Sequence, residues 1–106
     1  MRPIDFERIN EAAVASLENI LARWLSDGTR RGREWDARNP RRHDRRPGSF
    51  RVNIDTGKWS DFATGDSGGD PISLAAYLFS LTQLEAAMRV ASMLTIDPYV
   101  ADRHGR

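Results

Sequence analysis

The side chains that could do chemistry concentrate in one stretch, WSDFATGDSGGDP, from Trp59 to Pro71. Asp61, Asp66 and Asp70 are hard oxygen ligands of the kind that hold magnesium or calcium. Their spacing departs from the D-x-[DN]-x-[DN]-G loop of calcium sites. A glycine-rich turn that runs into a helix start offers a second chemistry, the cradling of a phosphate by free backbone N–H groups. Neither G-x-x-x-x-G-K-[ST] nor G-x-G-x-x-G is present, however, and Asp70 is placed to take the helix N-terminal N–H groups itself. The plainest reading is a corner: Asp61 ends a strand, Gly68 and Gly69 turn, and Asp70-Pro71 opens a helix. Catalysis finds no support elsewhere. The two histidines, His43 and His104, sit in a charged loop and near the end of the chain, with no nucleophile or paired carboxylate spaced to work with them.

Charge suggests binding. The chain of 106 residues has a net charge of only +1, but the stretch from Arg30 to Lys58 holds nine arginines and one lysine against four acids. Such asymmetry usually marks a strongly charged partner, of which nucleic acid is the commonest. Arg41, Arg42, Arg45, Arg46, Arg51 and Lys58 are the cations that gather around one predicted hairpin. Arginine pairs bidentately with phosphate, and Trp59 could stack a base if it is exposed. The bland alternatives are a solvated arginine-rich loop that binds nothing, and a Trp59 and a Trp35 that both belong to the core rather than being exposed to stack a base.

These side chains need elements to position them. The clearest signal is SFRVNIDTGKWSDFA, where Phe50, Val52 and Ile54 alternate with Arg51, Asn53 and Asp55. Period two means a strand with one buried and one wet face. DTGK supplies a tight turn with Gly57 free to take positive φ, and KWSDF returns as the partner strand. REWDARNP (33–40) reads as a further short strand centred on Trp35 and ended by Pro40, and RRHDRRPGS (41–49) as an exposed loop. Residues 5–26 carry Phe6, Ile9, Ala13, Leu17, Ile20, Leu21 and Trp24 at helical steps, with Asp5 as N-cap and Gly28 as a stop. Asp70-Pro71 starts a second, largely apolar helix, and the capping box T-Q-L-E (82–85) a third. The tail IDPYVADRHGR (96–106) is polar and expected to fray.

Composition bounds the rest. The length suits one domain over 1–106, and hydrophobic and charged shares of 40% and 29% suit a globular chain. The absence of cysteine excludes a disulfide scaffold, a thiolate zinc site and a cysteine nucleophile, and fits a cytoplasmic protein. No apolar run is long enough to cross a bilayer, so no membrane partner is expected. The expected class is α+β: a small antiparallel sheet with a central hairpin, packed against an N-terminal helix and two C-terminal helices.

The stretch from Trp35 to Leu94 resembles the zinc-binding domain at the N-terminus of bacterial and phage DNA primases, most closely the version in primase-helicase proteins of phages and plasmids. In that family C-P-x-H leads to T-P-S-F, a hairpin, C-x-x-C, G-G-D, an apolar helix and an E-A helix. Here the order survives as NPRRH (39–43), RPGSF (46–50), the hairpin, DFAT (61–64), GGD (68–70), ISLAAYL (72–78) and LEAAMRVASML (84–94). The core of the resemblance is thus 33–95. Its ligand positions fall on Asn39, on Arg42 or His43, on Asp61 and on Thr64. Structural zinc needs four nitrogen or sulfur ligands in tetrahedral array, so the resemblance carries a zinc-ribbon-like fold but no metal or other cofactor. Trp24, Trp35, Phe50, Trp59 and Phe62 are the candidates to replace its stabilisation by packing, and Asp61 or Asn39 to bridge the ligand gap by hydrogen bonds.

The resemblance implies a non-enzymatic accessory module that binds single-stranded DNA in the replication of a phage or other mobile element, working beside a replicative polymerase or helicase. The competing expectation is a protein-interaction module on the same scaffold, meeting an acidic surface of a replication partner or host factor.

Overall fold

The computed structural model describes residues 2–41 and 48–101. Four helices and five strands run in the order α1 (Phe6–Ala15), α2 (Leu17–Trp24), β1 (Thr29–Arg31), β2 (Glu34–Ala37), β3 (Phe50–Asn53), β4 (Trp59–Asp61), β5 (Ser67–Gly68), α3 (Pro71–Phe79) and α4 (Gln83–Leu94). The strands form one open antiparallel sheet in sequence order, β1 to β5. The class is α+β, as the segregation of strands and helices requires.

The sheet follows from alternation. Trp35, Val52 and Trp59 are direct partners across β2, β3 and β4, and all three are buried. The neighbouring row, Asp36, Arg51 and Ser60, points the other way. At the hairpin turn Gly57 takes φ +81°, and a Cβ there would run into Pro71 at the start of α3. The turn is therefore fixed both by its dihedral and by the helix it rests on. β1 and β5 escape the sequence reading because they are three and two residues long, too short to show a period.

The single helix expected over 5–26 is two. Asp5 caps α1 by accepting from the Arg8 N–H at 3.0 Å, as expected. At Ser16 the backbone leaves helical geometry (φ −124°, ψ 23°), and its N–H reaches back to the Ala13 carbonyl at 3.1 Å. Serine weakens a helix interior because its side chain competes for backbone groups. The break lets α2 re-aim its stripe, so Leu17, Ile20 and Leu21 stay buried together with Ile9 and Ala13 of α1. α2 stops at Trp24, earlier than Gly28, and the Trp35 indole N–H donates to the Leu25 carbonyl at 3.1 Å.

α3 and α4 start where the local chemistry says they should. Asp70 accepts from the Ser73 N–H at 2.8 Å, with Pro71 in the first turn, and Ser73 completes a capping box. Thr82 and Glu85 form a second box, at 3.1 Å and 2.9 Å. Both helices end on left-handed residues, Ser80 and Thr95. The segment after α4 departs from the frayed tail expected over 96–106. Val100 N–H donates to the Pro3 carbonyl at 2.7 Å, Asp5 N–H to the Pro98 carbonyl at 2.8 Å, and Arg8 bonds the Asp97 and Tyr99 carbonyls. The N-terminal segment offers a short bridging partner, Ile4 pairing antiparallel with Tyr99. Residues 102–106 lie outside the described residues. No described helix is long and apolar enough to cross a membrane.

Candidate nucleic-acid interface

The inner face of the sheet is covered by helices, so the outer face is what the fold leaves for a partner. Register puts Asp36, Arg51 and Ser60 in one row, with Thr29 and Ser67 at its ends and Glu34 and Asn53 beside it. Continuing the period from Trp59, whose side chain points inward, turns Ser60 outward, Asp61 inward and Phe62 outward. Phe62 is 70% exposed and stands beneath the Arg51 guanidinium, 5.4 Å from ring centre to Cζ. Arg51, Phe62, Lys58, Ser60, Asn53 and Glu34 line an open cleft of about 380 Å³.

This arrangement corrects two expectations. Phe62 is not part of the packed core. The exposed aromatic on this face is Phe62 and not Trp59, which is 6% exposed. Trp59 packs 4.6 Å from Tyr77 and 5.9 Å from Phe50 between ring centres, and its indole N–H donates to Ser73 Oγ at 3.0 Å. A Cβ at Gly68 would run into the same indole and hydroxyl, so glycine there lets β5 lie against the ring. The alternation that predicts the hairpin also predicts an outward Phe62 when carried one residue past the strand end.

The basic segment is less free than its charge suggests. Arg31 and Arg51 both lean on Asp36, at 3.6 Å and 3.5 Å, and bury its carboxylate to 4% exposure on the otherwise wet face. Arg30 pairs with Glu18, Arg33 with Asp55 and Arg38 with Asp27. Desolvation pushes the Asp27 carboxyl up, but hydrogen bonds from Arg38 and the backbone, with the Arg38 charge, together hold it below its ordinary range. Exposed ion pairs of this kind are weak and can exchange for phosphate. Lys58 has no ion pair among the described residues. Arg41 lies around the corner from the cleft, 5.0 Å over the Tyr77 ring and bonded to the Tyr77 carbonyl at 3.1 Å. Arg42, Arg45 and Arg46 lie outside the described residues, as does His43.

The Trp59–Pro71 corner is a hydrogen-bonded junction. The Asn39 amide nitrogen donates to Asp61 Oδ2 and to the Tyr77 phenolic oxygen, both at 2.8 Å. Asn39 Oδ1 accepts from the Arg41 N–H at 2.8 Å, and Asp61 Oδ1 from the Ala63 N–H at 2.8 Å. Tyr77 in turn donates to Asp66 Oδ2 at 2.9 Å, while Thr64 Oγ1 accepts from the Asp66 N–H at 3.2 Å. Burial is the main cause raising the Tyr77 phenol above its usual value. The Asn39 bond opposes that rise, and the Asp66 bond and charge reinforce it. The three aspartates do not converge: Asp61 and Asp66 serve this junction and Asp70 caps α3. No group of three or more carboxylate, histidine or cysteine side chains gathers for a metal among the described residues.

Among solved structures, the chain is similar to a crystal structure of the Aquifex aeolicus primase containing its zinc-binding and RNA polymerase domains, with a TM-score of 0.71 and 18% identity. The match covers 98% of this chain and 24% of that one, so the chain spans about a quarter of the solved chain's length. The likeness is one of fold, that of a primase zinc-binding domain. It extends beyond the 33–95 core to take in the N-terminal helices. No protein-family model and no curated protein matches the chain.

Proposed function

We propose that this chain is a nucleic-acid-binding accessory module that engages single-stranded DNA during replication of a phage or other mobile element. One observation carries the reading: an exposed phenylalanine stacked under an arginine, on the uncovered face of a sheet whose fold is primase-like. Phe62 supplies a π surface on which an unpaired base can stack, and the cation above it strengthens that platform. Arg51 and Lys58 lie within the same cleft to meet the adjacent phosphates. Arg41, Arg42, Arg45 and Arg46 add further cations in the sequence before the hairpin. A duplex keeps its bases stacked inside, so this platform suits single strands. In this reading residues 1–106 act as one cytoplasmic binding unit that works with a replicative polymerase or helicase.

Fluorescence anisotropy of a labelled single-stranded DNA, titrated at several salt concentrations, tests the proposal. With three to six phosphates contacted, log K against log salt should fall with a slope of about −2 to −4. Binding that is absent at micromolar protein, or insensitive to salt, contradicts it.

A second reading, a protein-interaction module, draws on a different surface. Trp24 and Phe79 meet edge to face at 5.5 Å and, with Ala75, Val90 and Met93, line an apolar groove of about 200 Å³ with Arg89 at its side. A replication partner or host factor seated there would leave the sheet face open. A pull-down in the presence and absence of single-stranded DNA separates the readings, since a partner competed off by DNA uses the basic face.

A further inference from the structure

Asn39, Asp61 and Thr64 stand where the primase resemblance implies metal ligands, and their chemistry does not fit zinc. Structural zinc is held by thiolates and imidazoles. Here the Asn39 nitrogen is an NH2 group donating two hydrogen bonds, so it has no lone pair to offer. Its oxygen, one Asp61 oxygen and the Thr64 hydroxyl each accept a backbone N–H. Asn39 and Asp61 are each 1% exposed, a burial tolerable for an amide and a carboxylate when they are hydrogen-bonded, as here.

We infer that this junction performs the mechanical task of a structural zinc. A zinc ion in a ribbon staples segments that no continuous secondary structure joins. The bonds of Asn39, Asp61, Tyr77 and Asp66 staple the same kind of set: the end of β2, the end of β4, the turn before β5 and the last turns of α3. Asn39 lies 22 residues from Asp61 and 38 from Tyr77, so each bond closes a long stretch of chain. Arg41 caps the outer side of Tyr77, and Phe50, 6.1 Å away and nearly parallel, backs its ring from the core. Buried polar networks of this kind, once satisfied, rigidify and specify one arrangement. The chain contains no cysteine, so the staple has nothing for a thiol oxidant to attack and nothing for a chelator to extract. Resting on the proposed DNA binding, the further consequence is an interface whose affinity does not depend on metal supply or redox state.

The test uses the full chain. Zinc content of the purified protein should fall well below one per chain, and the melting temperature should be the same with and without a strong zinc chelator. Tyr77→Phe keeps the ring, its packing and the arginine contact but removes both hydroxyl bonds, and should lower the melting temperature by about 5–10 °C. Asn39→Leu removes the donor beside the buried Asp61 carboxylate and should lower it further. About one zinc per chain, a chelator-sensitive melt, or a Tyr77→Phe variant that melts like the parent overturns the inference. Single-stranded DNA affinity should be unchanged after treatment with a chelator or a thiol-specific oxidant such as diamide, and an affinity lost on treatment also overturns it. If the untreated protein binds no DNA, the functional reading fails while the melting and metal measurements still decide the staple.

Discussion

The Arg51 guanidinium lies 5.4 Å from the centre of the Phe62 ring while its Nε stands 3.5 Å from the buried carboxylate of Asp36. One side chain thus covers an aromatic platform and neutralises a charge in the sheet. Mutations at Arg51 and Phe62 should therefore separate binding from stability.

Phe62→Ala should weaken single-stranded DNA binding by about 1–3 kcal/mol, the worth of one stacked base. The melting temperature should barely move, because the ring is 70% exposed. Anisotropy and a thermal melt on the same preparation read both. A large loss of stability would return Phe62 to the core and remove it from the interface.

Lys58→Gln should shift the salt slope of binding by about 0.7 toward zero, the signature of one lost phosphate contact on a single strand. Stability should hold, since the Lys58 ammonium has no ion pair among the described residues. Arg51→Ala should behave differently. It weakens binding but also leaves Asp36 Oδ1, which has no hydrogen-bond partner among the described residues, beside less compensating charge. We expect it to destabilise the fold by about 1–3 kcal/mol, measured by urea unfolding.

Tyr77 makes stability pH-dependent on the alkaline side. Burial, reinforced by Asp66, raises its pKa above the unfolded value. A group with a raised folded pKa contributes stability that is fully present below its unfolded pKa and is lost as pH rises through the folded one. Melting temperature should therefore fall above about pH 10, where a phenol begins to ionise. Tyr77→Phe should flatten that decline, and a decline of equal steepness in the variant would assign it to other groups.

The α4 capping box contributes on the acid side. Bonding to the Thr82 backbone N–H is the main influence holding the Glu85 carboxyl below its usual range. A depressed carboxylate contributes stability that is present above its unfolded pKa and is lost as pH falls through the folded one. The loss should begin below about pH 4.3 and be weaker in Glu85→Gln, which keeps the bond without the charge. Thr82→Ala, which removes the other half of the box, should cost about 1 kcal/mol at neutral pH by denaturant unfolding.

Local chemistry was readable in the sequence. The period-two run from Phe50, the positive φ reserved for Gly57, the Asp70-Pro71 start of α3 and the Thr82–Glu85 box each depend on residues within a few positions, and each stands as expected. Outward Phe62 was present in the same alternation, but hydrophobicity argued for burial and a strand end has no partner in sequence to decide between them. The break at Ser16 was hidden because the apolar stripe continues across it with a small change of phase.

By itself the sequence determined the α+β class, the hairpin and the helix starts, because dihedral preference, alternation and capping act over a few residues. Only the tertiary structure decided which charges remain available and what holds the corner between Asn39, Asp61 and Tyr77. Asp36 draws in Arg31 and Arg51 from strands on either side, and Asn39 finds Asp61 and Tyr77 far along the chain. These are contacts between residues that folding alone makes neighbours, and charge count or spacing carries no trace of them.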